Sequence, residues 1–112
     1  MANVASVRSS QVIRFNMDSD FSAGNAFNYT LASQAEIVDV EWVRTDAVGG
    51  GVITLKSGAP TVVTIGAPAN QFDVVRAANL QNVSVAAGTV LNIAANLNTI
   101  RGRLYITILP GI

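Results

Sequence analysis

Apolar and polar residues alternate with a period of two along most of this chain, the spacing of half-buried β-strands, and runs with helical spacing are scarce. Residues 11–17 place Ile13, Phe15 and Met17 on one face and Val12, Arg14 and Asn16 on the other. Residues 26–31 set Phe27, Tyr29 and Leu31 against Asn28 and Thr30, and residues 36–45 set Val38, Val40 and Trp42 against Asp39 and Glu41. Beyond Gly49-Gly50-Gly51, Ile53 and Leu55 alternate with Thr54 and Lys56, and Gly58-Ala59-Pro60 leads into 61–66 with Val63 and Ile65 inward. Val83 and Val85 mark another short strand. Ala87-Gly88 reads as a turn into 89–95, where Leu91 and Ile93 face in. The last segment, 101–109, alternates Leu104, Ile106 and Ile108 with Arg103, Tyr105 and Thr107.

About eight short strands separated by turn residues, with no helices between them, predict an all-β, two-sheet sandwich of antiparallel strands, with jelly-roll winding as the specific expectation. Residues 72–79, FDVVRAAN, fit either a short helix or a ninth strand, with Phe72, Val75 and Leu80 packing over the end of the sandwich. Residues 1–10 are polar and weakly patterned and read as an N-terminal arm; residues 11–112 form the sandwich domain. In a jelly roll the first and last strands are neighbours, and 36–45 lies beside 101–109. That adjacency lets Asp39 and Glu41 pair with Arg101 and Arg103, each pair contributing ~0.2–1 kcal/mol.

Composition narrows the chemistry. The chain has 112 residues, of which half are hydrophobic and only 12% charged, with zero net charge. A neutral surface rich in Asn, Gln, Ser, Thr and Ala is easily desolvated against a partner. It offers nothing to hold nucleic acid or an anionic membrane. No apolar run approaches the ~20 residues of a spanning helix. The first fifteen residues do not pattern as a secretory signal, so the protein is expected to stay where it is made until it meets a partner. Six of the seven basic residues are Arg, with Lys56 the only lysine, a bias suited to planar, bidentate contacts at interfaces. Cysteine and histidine are absent, which removes disulfides, zinc–thiolate and iron–sulfur sites, catalytic triads and imidazole bases from consideration. No cofactor or metal is expected.

The remaining candidate chemistry is thin. Asp39 and Glu41 lie ~6.5–7 Å apart along a strand, the lower edge of the spacing in inverting glycosidases. They occupy a flat face with no second aromatic nearby in sequence to grip a sugar, so a solvated or paired face is the plainer account. Asp18 and Asp20 begin a calcium-like pattern that runs out at Ser22 and Asn25; turn chemistry explains them. The triple glycine lacks the Lys-Ser/Thr of a phosphate loop. Asn28-Tyr29-Thr30 and Asn82-Val83-Ser84 match a glycosylation pattern that is common by chance. Trp42 facing inward is a core anchor; facing outward with Tyr29 and Tyr105, it would make a sugar platform.

From Glu36 to Pro110 the chain joins EIVDVEWVRTD to VITLKSG and PTVVTIG, continues through VSVAAGTVLNIAA and closes on GRLYITILP. In this succession it resembles the small jelly-roll capsid decoration, or cement, proteins of short-tailed bacteriophages. The resemblance implies a non-enzymatic virion protein on the outer capsid surface, bridging major capsid protein subunits against internal pressure. Such proteins act as homodimers at two-fold or homotrimers at three-fold positions. The arm 1–10, the loops 18–25 and 46–52 and the edge strands become the expected contact elements, with Arg8, Phe21, Arg44, Arg76 and Tyr105 as candidate interface residues. The alternative is a carbohydrate- or receptor-binding sandwich module associated with a tail or fibre, and burial of Trp42 would cost that reading its best residue.

Overall fold

A computed structural model of the chain describes residues 9–17, 26–45, 51–96 and 101–111. Nine strands occur among the described residues: β1 (Gln11–Asn16), β2 (Ala26–Thr30), β3 (Ala35–Arg44), β4 (Val52–Ser57), β5 (Thr61–Gly66), β6 (Val74–Arg76), β7 (Ser84–Val85), β8 (Val90–Ala95) and β9 (Gly102–Pro110). No helix occurs among them. One sheet runs β1-β9-β3-β6, with β7 also on β3; the other runs β2-β8-β4-β5. Every one of these pairings is antiparallel. Because β6 and β7 flank the same strand in succession, they count as one interrupted strand. The result is the eight-stranded, two-sheet winding of a jelly roll, with the first and last strands adjacent as predicted.

The alternating positions meet between the sheets. Phe15, Met17, Val40, Trp42, Ile53, Leu55, Leu91, Ile93, Leu104 and Ile106 are buried there, with Ile13, Phe27, Val63, Val75 and Leu80 packed around them. Each fully buried large side chain contributes roughly 1.5–3 kcal/mol of transfer free energy. At the open flank the edge strands β1 and β2 are bridged by Phe15 and Phe27, whose ring centroids lie 6.2 Å apart at 59°. That tilted geometry suits the aromatic quadrupoles. The Ala87-Gly88 turn forms as predicted: Thr89 N–H donates to Ala86 C=O at 3.2 Å, and Gly88 supplies the positive φ of 84°.

Two bulges alter the inward set. In β3, Ile37 pairs with Ile108 and Asp39 with Thr107, leaving Val38 as an extra residue. The alternation therefore slips by one. Ile37 rather than Val38 enters the core, and Val38 stands outside with 45% of its surface exposed. In β5 a second bulge inserts Val62 between the residues paired with Leu55 and Lys56. Val62 joins the core beside Ile65, while Val63 packs partly against it.

The 72–79 segment resolves as a strand rather than a helix. Val74–Arg76 pairs with β3, which places Val75 over Trp42. Leu80 packs against the core as expected, but Phe72 does not; it projects outward with 70% exposure.

Candidate functional site

Of the side chains singled out in the sequence, the outer face of the five-stranded sheet brings together Asp39, Glu41, Arg76, Arg103 and Tyr105. Its rows follow from the register. Arg14, Tyr105, Glu41 and Arg76 lie in one line across β1, β9, β3 and β6; Val12, Thr107 and Asp39 lie in the next. Asn16, Arg103, Val43 and Val74 make a third.

β3 and β9 are neighbours as predicted, but the charge pairing across them differs. Asp39 faces Thr107 and Glu41 faces Tyr105, whereas Arg103 faces Val43 and Arg101 precedes the strand. The core sets this register: Val40 opposes Ile106 and Trp42 opposes Leu104. The outward residues must follow, because a one-residue slip would turn the whole apolar set outward. The partner of both acids is Arg76, from the other side. Its Nε donates to Glu41 Oε1 at 3.0 Å and lies 3.3 Å from Asp39 Oδ1, and its Nη2 also bonds Glu41 Oε1. The Glu41 hydrogen bond and the nearby Asp39 charge hold the guanidinium above its ordinary, already strongly basic value. Raised in the folded state, it contributes stability throughout the neutral range, lost only as pH climbs past its folded pKa. The best candidate acid pair of the sequence is thus bound to one arginine.

Arg44 serves the interior. It is buried, and its Nη1 donates to Pro68 C=O at 3.0 Å and Ala69 C=O at 2.9 Å. It therefore fastens the β5–β6 connection to the end of β3 and offers little surface to a partner. Arg76 is exposed on the edge strand and Tyr105 is half-buried in the centre of the sheet face, one strand apart. Arg8, Phe21, Asp18, Asp20 and the triple-glycine residues Gly49 and Gly50 lie outside the described residues, as do 1–8 of the arm and 46–50 of the second loop.

Trp42 is fully buried between Leu104 and Val75, and among the described residues its Nε1 has no hydrogen-bond partner. It is a core anchor. Tyr29 is exposed on β2, in the opposite sheet from Tyr105, so the three aromatics of the sugar-platform reading are not brought together. Both asparagines of the glycosylation pattern are engaged. Asn28 Oδ1 accepts from Asn92 Nδ2 at 2.8 Å, and Asn82 Nδ2 donates to Thr61 C=O at 2.8 Å. Among the described residues no group of three or more His, Cys, Asp or Glu side chains is assembled that could hold a metal ion.

What pattern reading missed is apolar exposure. Val12, Val38 and Val74 stand on the outer face, and Phe72 stands at the sandwich end beside Val74. Val12 was legible as an outward position. Val38 was not, since no residue type announces the bulge that displaces it.

No family model matches the chain, and no curated protein does. Among solved structures, the C-terminal CBM6 of LamC, a marine laminarinase from Zobellia galactanivorans, is similar at 14% identity and a TM-score of 0.46, over 88% of this chain and 99% of that one. The structure of infectious bursal disease virus Gt strain is similar at 14% identity and a TM-score of 0.37, over 96% of this chain, which spans 34% of the viral chain. Neither likeness brings a ligand, a partner or a residue role to this protein.

Proposed function

We propose that this chain is a non-enzymatic virion structural protein that binds the outer surface of a capsid and cements neighbouring major capsid protein subunits, acting as a homodimer or homotrimer. The observation that carries the reading is the outer face of the five-stranded sheet. Val12, Val38 and Val74 are 59%, 45% and 54% exposed there, while Asp39 and Glu41 are held by Arg76. Exposed valines on a face whose two carboxylates are already held by an arginine cost less to desolvate than free charges would, which suits a protein contact. Catalysis asks instead for convergent titratable groups with displaced pKa values in a cleft. The low overall charge and the likeness of residues 36–110 to decoration proteins point the same way.

The test is to mix purified protein with undecorated capsids of a short-tailed phage that carries the gene, then measure binding by co-sedimentation and capsid survival on heating. Saturable binding with a gain in heat resistance is expected. Absence of saturable binding sinks the reading.

A further inference from the structure

Phe72 is held in an unusual way for a surface aromatic. Its φ is 69°, in the left-handed region that a bulky residue enters only when its surroundings compel it. The surroundings do so. Phe72 N–H donates to Arg44 C=O at 2.7 Å, and Arg44 N–H donates to Asp73 C=O at 3.1 Å. Asp73 N–H reaches Asn70 C=O at 3.2 Å, and Asn70 Nδ2 donates to Asp73 Oδ2 at 3.2 Å. Gln71 Nε2 donates to Thr45 C=O at 2.9 Å, and the buried Arg44 guanidinium holds the carbonyls of Pro68 and Ala69. Residues 68–73 are thereby tied to the end of β3 at almost every position, yet the ring that this lattice positions is 70% exposed. A core residue would gain burial for such strain, whereas Phe72 gains little of it among the described residues. A fixed aromatic loses little entropy on docking, which is the property of an interface anchor.

The surroundings also state what it fits. Phe72 is followed by exposed Val74, continuous with the outer sheet face. Asp73 is the sole charged side chain from 66 to 75. Of the cations at this end of the sheet, Arg44 is turned inward to carbonyls, Arg76 is bonded to Glu41, and Arg103 and Arg101 lie one strand further across, beyond Val43 and Thr45, so Asp73 is the one charge carried by the tip itself. The tip is therefore apolar and acidic, and complements an apolar pocket with a basic rim. We propose that Phe72 inserts into such a pocket on a capsid subunit, with Asp73 meeting the basic rim. This rests on the capsid-binding reading above and names its anchor.

The experiment compares wild type, Phe72→Ala, Phe72→Asn, Asp73→Asn and, on the far sheet, Lys56→Ala for binding to undecorated capsids, with melting curves and sedimentation of each free protein. Asn tolerates a positive φ, so Phe72→Asn keeps the loop and the melting temperature. Both Phe72 variants are expected to bind at least about tenfold more weakly, as loss of a hot spot does. Asp73→Asn is expected to weaken binding several-fold and to flatten its salt dependence, while Lys56→Ala binds as wild type. Wild type failing to bind removes the capsid reading itself, and this inference with it. Wild type binding while the Phe72 variants bind equally well overturns the anchor alone. So does unfolding of Phe72→Asn, or a Phe72 substitution that splits a homo-oligomer of the free protein, which would give the pocket to a second copy.

Discussion

Gly102 sits where β9 begins, with φ at 147° and its backbone against Trp42. A Cβ there would lie 2.1 Å from Val43 O and 3.0 Å from Trp42 Nε1. The first contact is with backbone and has no flexible end to yield. Gly102→Ala is expected to destabilise the fold by about 3 kcal/mol or more, combining overpacking with backbone strain; urea unfolding measures it. Trp42 is the chain's one tryptophan and is wholly sealed. Its emission should be blue-shifted and move red on unfolding, and Trp42→Ala should cost ~3–5 kcal/mol. Trp42→Phe should cost distinctly less, because it removes a buried N–H that has no partner among the described residues. Arg44→Met keeps the volume but leaves the carbonyls of Pro68 and Ala69 without their donor, for an expected loss of about 2–3 kcal/mol.

At the scale of elements, β3 decides most. It is central, between β9 and the β6–β7 pair, and its bulge lets one strand present Ile37 and Val40 inward with two residues between them. Deleting Val38 should restore plain alternation without moving any other pair. The variant is expected to fold, with a loss within the ~0.5–3 kcal/mol of an ordinary point change. Deleting Glu41 instead reverses the faces between the bulge and Trp42, and is expected to abolish cooperative unfolding in the same denaturation assay. β6 is three residues long and held to β3 partly through Arg76. Arg76→Glu places three carboxylates together, so amide exchange at Val75 and Ala77 should accelerate while the β1–β9 amides stay protected. Since Arg76 is exposed, its effect on the melting temperature should be small and should fade with salt.

For the whole molecule, the pairings join distant parts of the chain: β1 with β9, β2 with β8 and β3 with β9. Closing such loops costs entropy before any contact rewards it, so refolding followed by Trp42 fluorescence should run in milliseconds to seconds, as for other all-β domains. β9 lies between β1 and β3, and its inward Leu104, Ile106 and Ile108 are core residues. A chain ending at residue 100 is therefore expected to lose the whole fold rather than one edge.

Much of this was decided locally and was legible in the sequence. The period-two spacing established a sandwich and named most of its core, though not Ala35, Ile37, Val62 or Ala95, because a side chain on a pleated strand has only two directions and most apolar ones take the dry one. The missing histidine and cysteine removed whole mechanisms without reference to any fold. The neighbouring of first and last strands followed from the winding. What pattern could not supply depended on which residue stands opposite which. Bulges at Val38 and Val62 arise from fitting two strands together, not from either strand's residues. Register then assigned Asp39 and Glu41 to Arg76 rather than to Arg101 and Arg103. The 72–79 segment became a strand because β3 had a free edge beside Val43. Phe72 was left in the open because its own N–H bond to Arg44 C=O, with the neighbouring Gln71 side chain tied to Thr45 C=O, fixes the backbone there at a positive φ.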